Sequence, residues 1–183
     1  MRIFYITFIS FIFIGCSSTQ KASYTEADTE ALKNLVEAKS FEIESTWAVP
    51  QTTNSINSIG ASGLLPPGST ANRINLIGNA NHLRMEGDSV SAYLPYFGER
   101  QFSGGYATNN AIVFEGVPEN YKVSKNKKNQ NYKISFQIND KTESYKVTVL
   151  IYPSLNSSIR VTSSQRFPIT YTGNAKEKTK TKP

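Results

Sequence analysis

From residue 41 onward the dominant period in the sequence is two. Tyr132, Ile134, Phe136 and Ile138 alternate with Lys133, Ser135, Gln137 and Asn139. Such alternation buries one face of a strand and wets the other, which is the pattern of an antiparallel sheet solvated on one side. It recurs along the chain. Phe41, Ile43, Ser45 and Trp47 alternate with polar neighbours until Pro50, and Leu83 and Met85 lead into the turn Glu86-Gly87-Asp88. Val90, Ala92 and Leu94 leave that turn, and residues 111–114 form a short apolar run. Tyr145, Val147, Val149 and Ile151 return from the turn signal Asn139-Asp140, and Ile159, Val161, Phe167, Ile169 and Tyr171 complete the series. About eight strands are predicted. Hydrophobic residues make up 38% and charged residues 19% of the chain, which suits a polar, loop-rich β protein better than a helical bundle.

One segment breaks the period. Residues 25–39 carry Ala31, Leu32, Leu35, Val36 and Ala38 at helical spacing, with Thr25 as N-cap and Glu26, Asp28 and Glu30 in the first turn. The predicted fold is therefore mainly β (α+β), an N-terminal helix packed on a twisted antiparallel sheet or partial barrel. Residues 50–81, rich in Pro, Gly, Asn and Ser, read as a long loop interrupted by a short strand near 72–77. The domain is expected over 25–173, followed by a disordered basic tail, 174–183.

The first residues read as an address. Arg2 precedes an apolar run from residue 3 to residue 14, then Gly15 and Cys16. A short cationic start, an apolar stretch too short to span a bilayer and a small residue before the cut describe a signal peptide, here 1–15. Residues 13–16, Phe-Ile-Gly-Cys, resemble a bacterial lipobox, which implies that the Cys16 thiol is acylated and that 16–24 form a lipidated tether. Residues 17–23 hold no acidic cluster of the kind that resembles a surface-export signal of lipoproteins, which favours the periplasmic face of the outer membrane.

Chemistry is restricted by what the chain holds. One Cys and one His leave no disulfide and no multi-His or multi-Cys metal site, so neither a metal nor a cofactor is expected. The single imidazole, His82, reads as a surface or hydrogen-bonded residue. The acids Glu86, Asp88, Glu99, Glu115 and Glu119 fall mostly at turns, where water keeps their acidity ordinary. No catalytic residues are expected. Lys122, Lys125, Lys127, Lys128 and Lys133 gather at one hairpin tip, where they blunt edge pairing or meet anionic headgroups or acidic glycans. A nucleic-acid partner does not fit the address.

Two motifs stand out. One is Leu94-Pro95-Tyr96-Phe97-Gly98, preceded by Glu86-Gly87-Asp88. The other runs from Arg166 through Ile169 and Tyr171 to Gly173 as R-x-x-I-x-Y-x-G. Together they resemble a family of small Bacteroidetes lipoproteins built on a domain of unknown function, over residues 25–173. In that family a basic residue usually follows the Gly of the first motif, whereas here Glu99 stands before Arg100. The resemblance implies location and fold and carries no activity. In the first motif Pro95 is expected to end its strand, Gly98 to adopt positive φ, and Tyr96 or Phe97 to turn inward.

The aromatic and Gly-rich stretch 93–106 and the closing motif are the best places to look for recognition. If they meet, Tyr96, Phe97, Arg100, Arg166 and Tyr171 are expected to form a shallow surface for a glycan, peptide or protein. Asp88-Ser89-Val90 resembles the acceptor pattern for O-glycosylation, with Ser89 as the modified residue. The reading is a non-enzymatic, lipid-anchored envelope protein with one binding or interaction module. The alternative is a carrier holding an apolar or glycan ligand inside a β cup.

Overall fold

The computed structural model describes residues 24–101, 111–140 and 143–178. The expected signal peptide, Cys16, the expected tether up to residue 23, the aromatics Phe102 and Tyr106 and the last five residues lie outside the described residues.

Helix α1 (Glu26–Glu37) starts at a capping box. The Thr25 hydroxyl accepts from the Asp28 N–H at 3.1 Å, and the Asp28 carboxylate accepts from the Thr25 N–H at 3.0 Å. The helix buries Leu32, Leu35 and Val36 and ends where Lys39 turns to φ +48°. Strand β1 (Ser40–Pro50) follows at once, then helix α2 (Asn54–Ala61) and strands β2 (Ile74–Asn75), β3 (His82–Glu86), β4 (Ser89–Pro95), β5 (Ala111–Gly116) and β6 (Glu119–Lys125). The last four are β7 (Tyr132–Asp140), β8 (Glu143–Ile151), β9 (Asn156–Ser163) and β10 (Ile169–Glu177).

The strands form one antiparallel sheet in the order β5-β4-β3-β1-β10-β9-β8-β7-β6, with β2 alongside β1. The sheet curls into a half-barrel. Phe114 on β5 touches Phe136 on β7 edge-on at 6.3 Å and Tyr145 on β8 at 5.5 Å, so the two ends of the path approach each other across the core. The concave side is filled by side chains, among them Leu32, Phe41, Ile43, Leu83, Phe114, Phe136 and Tyr171, all buried. The packed interior makes a β cup an unfavourable reading.

Strand β1 is the axis of the sheet. Along one side it pairs with β10 over its whole length. On the other side β3 covers residues 40–43 and β2 covers Trp47 and Ala48. Between them β1 bulges at Ser45–Trp47. Buried Asn81 fills the gap in the ladder: its Oδ1 accepts from the Ser45 N–H at 2.8 Å and its amide donates to the Ser45 carbonyl at 2.9 Å. A side chain thus supplies what a strand would, as buried backbone groups require.

Three expectations are corrected. Residues 50–81 are an anchored excursion rather than a long loop, because Thr53 caps α2 and Ile56, Ile74 and Leu76 enter the core. Residues 174–177, expected in the tail, belong instead to β10, which runs to Glu177 with Ala175 buried opposite Ile43. Asn139 and Asp140, expected to form a turn, both belong to β7, and Asp140 pairs with Glu143.

Candidate binding cleft beside the two motifs

The two motifs form one clamp. Strand β4 ends at Pro95, and the chain then crosses to the segment before β10. Tyr171 Oη donates to the Pro95 carbonyl at 2.9 Å. Tyr96 Oη lies 2.7 Å from the Glu99 carbonyl and 3.1 Å from that of Phe167. The backbone N–H groups of Phe167 and Gln101 donate to the carbonyls of Glu99 and Gln165 at 3.1 and 2.8 Å. Arg100 and Arg166 are thereby opposed in an isolated antiparallel bridge.

The residues expected to form a recognition surface do meet, but most face inward. Tyr171 is fully buried, Tyr96 is buried, and Arg166 is only 5% exposed. The Arg166 guanidinium bonds both oxygens of buried Glu143, at 2.9 and 3.1 Å, and lies 5.1 Å from the centre of the Tyr96 ring. A desolvated cation needs such partners, and Glu143 with the Tyr96 ring supplies them. Burial raises the Tyr96 hydroxyl to about 12 despite the neighbouring arginine, and raises Tyr171 well above the ordinary phenol. Both phenols stay protonated, as their donor roles demand. Burial also pushes the Glu143 carboxyl upward, but hydrogen bonds from Ser163, Arg166 and Tyr145 outweigh it and hold the acid below its ordinary range. The expected shallow aromatic and arginine surface is therefore corrected to a buried lock. Only Phe97 and Arg100 of the five remain partly exposed.

Gly98 is also corrected. Its φ is not positive; the glycine is needed for space, because a Cβ there would come 2.6 Å from Tyr96 Cζ. Of the pair Tyr96 and Phe97, it is Tyr96 that turns into the core. Phe97 packs against the core edge and lines a cleft.

That cleft, of about 230 Å³, lies between α2 and the first motif. Ile56, Ile59, Leu64, Leu65 and Phe97 give it apolar walls. Leu64 is 78% exposed and Ile59 40%, unusual for aliphatic side chains placed together. Glu99 closes one end. Its carboxylate accepts from Ser55 and from the Thr53 hydroxyl, the latter at 3.0 Å, and these bonds hold it below its ordinary acidity range. Glu99 thus ties the start of α2 to the first motif. The sequence reading missed Thr53, Ile56, Ile59, Leu64 and Leu65. The available signal was a Thr followed by isoleucines three residues apart.

Other sites fall elsewhere. Ser89 is exposed at the start of β4, beside Asp88, which is ion-paired to Lys39 at 2.7 Å. His82 faces Tyr93 across the β3–β4 pair, with its imidazole lowered by burial and by Arg84. Among the described residues no His, Cys, Asp and Glu side chains gather as a metal site, and no helix is long and apolar enough to cross a membrane.

A family model, "Domain of unknown function (DUF4251)", matches residues 24–175. The chain belongs to that family. It is similar to the crystal structure of a DUF4251 family protein from Bacteroides eggerthii, with a TM-score of 0.56 and 12% identity, over 86% of this chain and 92% of that one. At that identity the likeness shows the fold. No curated protein matches the sequence.

Proposed function

We propose that this is a lipid-anchored cell-envelope protein, held through Cys16 on the periplasmic face of the outer membrane, whose folded body is a non-enzymatic binding module. The cleft between α2 and the first motif receives apolar side chains of a protein partner. The observation that carries this reading is the grouping of Leu64 and Ile59, both solvent-exposed, over a cleft floored by motif residues. Exposed apolar surface beside a rigid clamp is a cost in solubility unless something covers it. The non-enzymatic part rests on the buried acid Glu143, whose oxygens are engaged by Arg166 and Ser163. O-glycosylation at Ser89 is compatible with its exposure and remains part of the proposal.

Two results are expected. Replacing Cys16 by Ala abolishes incorporation of a palmitate analogue and blocks leader cleavage; labelling that survives in C16A overturns the anchor. A photo-crosslinking residue at position 64 in intact cells gives a discrete protein adduct, lost when Phe97→Ala is added. Because Phe97 is only partly buried, F97A costs about 1–2 kcal/mol rather than the larger penalty of a core phenylalanine, so the variant still folds. An adduct pattern identical to that of a crosslinker at exposed Glu30 on α1 overturns the assignment of the cleft.

A further inference from the structure

The charges of the sheet are sorted. Around β1, β3 and β10 most cations have an acidic partner: Arg84 with Glu42, Lys176 with Glu42 and Glu44, Lys178 with Glu86, and Lys39 with Asp88. On the outer face of β6–β9 the exposed Lys122, Lys133, Lys146 and Arg160 have no ion-pair partner among the described residues. The register fixes their layout. Lys122 faces Ser135, Ser135 faces Thr148, and Thr148 faces Arg160, while Lys133 faces Leu150 and Lys146 lies between Gln137 and Thr162. At about 4.8 Å between strands and 3.3 Å per residue, the four cations spread over a field of about 14 Å by 13 Å.

A field so wide cannot converge on one small anion. It matches a ligand with several negative charges along its length. Between the cations lie Ser135, Thr148 and Gln137, with Ser158 and Asn139 at the margins, side chains that hydrogen-bond hydroxyl groups. Beside Lys146 the face dips into a depression of about 300 Å³, whose walls include Gln137, Asn139, Ser144, Thr162 and Ser164. The described outer-face residues of β7–β9 include no aromatic side chain on which a nucleobase would stack. One carboxylate, Glu119, sits at the edge and is hydrogen-bonded by Asn139 at 3.4 Å.

We propose that the outer face of β6–β9 is a binding surface for an acidic polysaccharide, with Lys122, Lys133, Lys146 and Arg160 meeting its anionic groups and the hydroxyl and amide side chains between them meeting its sugar hydroxyls. The surface is separate from the apolar cleft and does not depend on it or on the lipid anchor. The test uses the full chain, purified in detergent, on immobilised polygalacturonate, with neutral dextran and phosphatidylglycerol vesicles in parallel. Polygalacturonate is expected to retain the protein, dextran is not, and retention falls away near 1 M salt, where screening acts over about 3 Å. Lys146→Gln with Arg160→Gln is expected to weaken binding by about tenfold, as two exposed charge contacts should. Lys33→Gln with Lys39→Gln removes the same net charge from the opposite side and is expected to leave binding unchanged. Equal losses in both double variants would reduce the effect to net charge and overturn the proposal. So would retention by the vesicles alone, which would make the face a membrane contact, or no retention at all.

Discussion

Gly173→Ala is expected to destabilise the domain by roughly 3 kcal/mol or more, as overpacking against backbone does. Gly173 sits opposite Ser45, at the point where β1 takes in an extra residue. The bulge pushes the Glu44–Ser45 backbone toward β10. A Cβ on Gly173 would overlap the Glu44 carbonyl oxygen and come 2.6 Å from Ser45 Cα. Neither atom can rotate away, because Ser45 is held from the other side by the Asn81 amide. The final glycine of the closing motif is thus explained by close approach of two backbones, and its φ is unremarkable. Gly78 provides the control. Its φ is +85° but a Cβ there meets open space, so Gly78→Ala should cost only about 1–2 kcal/mol. The check is urea denaturation of both variants. At about 2–4 °C per kcal/mol for a domain of this size, G173A should melt roughly 10 °C below the parent. A variant that melts with the parent would mean that the β1 bulge can slide.

Much of this fold was legible, for a physical reason. Strands that bury one face write that burial into every second residue, and β1, β3, β4, β7, β8 and β9 all do so. The capping box at Thr25 likewise lies within four residues. Strand β6 left no such trace, because it is an edge strand with nearly every side chain in water. Helix α2 was hidden by its composition: NSINSIGA is poor in helix formers and buries only Ile56, so its stability comes from the Thr53 cap, the Glu99 tie and tertiary contact. The motifs were visible as motifs, but their direction was not. Whether Arg166 points to solvent or to the core depends on Glu143, 23 residues away, and no local pattern records that.

That pair carries the second large effect. Arg166→Met alone, or Glu143→Leu alone, should cost about 3–5 kcal/mol, since each leaves an uncompensated charge in the interior. The guanidinium has little slack, because its Nη1 is buried without a hydrogen-bond partner and its Nε is committed to both Glu143 oxygens. The double variant should recover most of the loss at pH 7, because two apolar side chains of similar volume avoid the desolvation that the ion pair must offset. The pH dependence separates this account from simple packing. The Glu143 carboxyl lies below its ordinary 4.5 in the folded chain, so its contribution is fully present above that value and is lost as pH falls through the depressed folded value. Protonating Glu143 therefore leaves the buried Arg166 guanidinium without its counter-charge. Urea denaturation from pH 7 down to about 3 should show the parent losing stability more steeply than the Glu143→Leu/Arg166→Met variant below about 4.5. Parallel acid limbs in the two proteins would place the acid sensitivity elsewhere, and an R166M variant as stable as the parent would remove the buried pair as the lock between the motif clamp and β8.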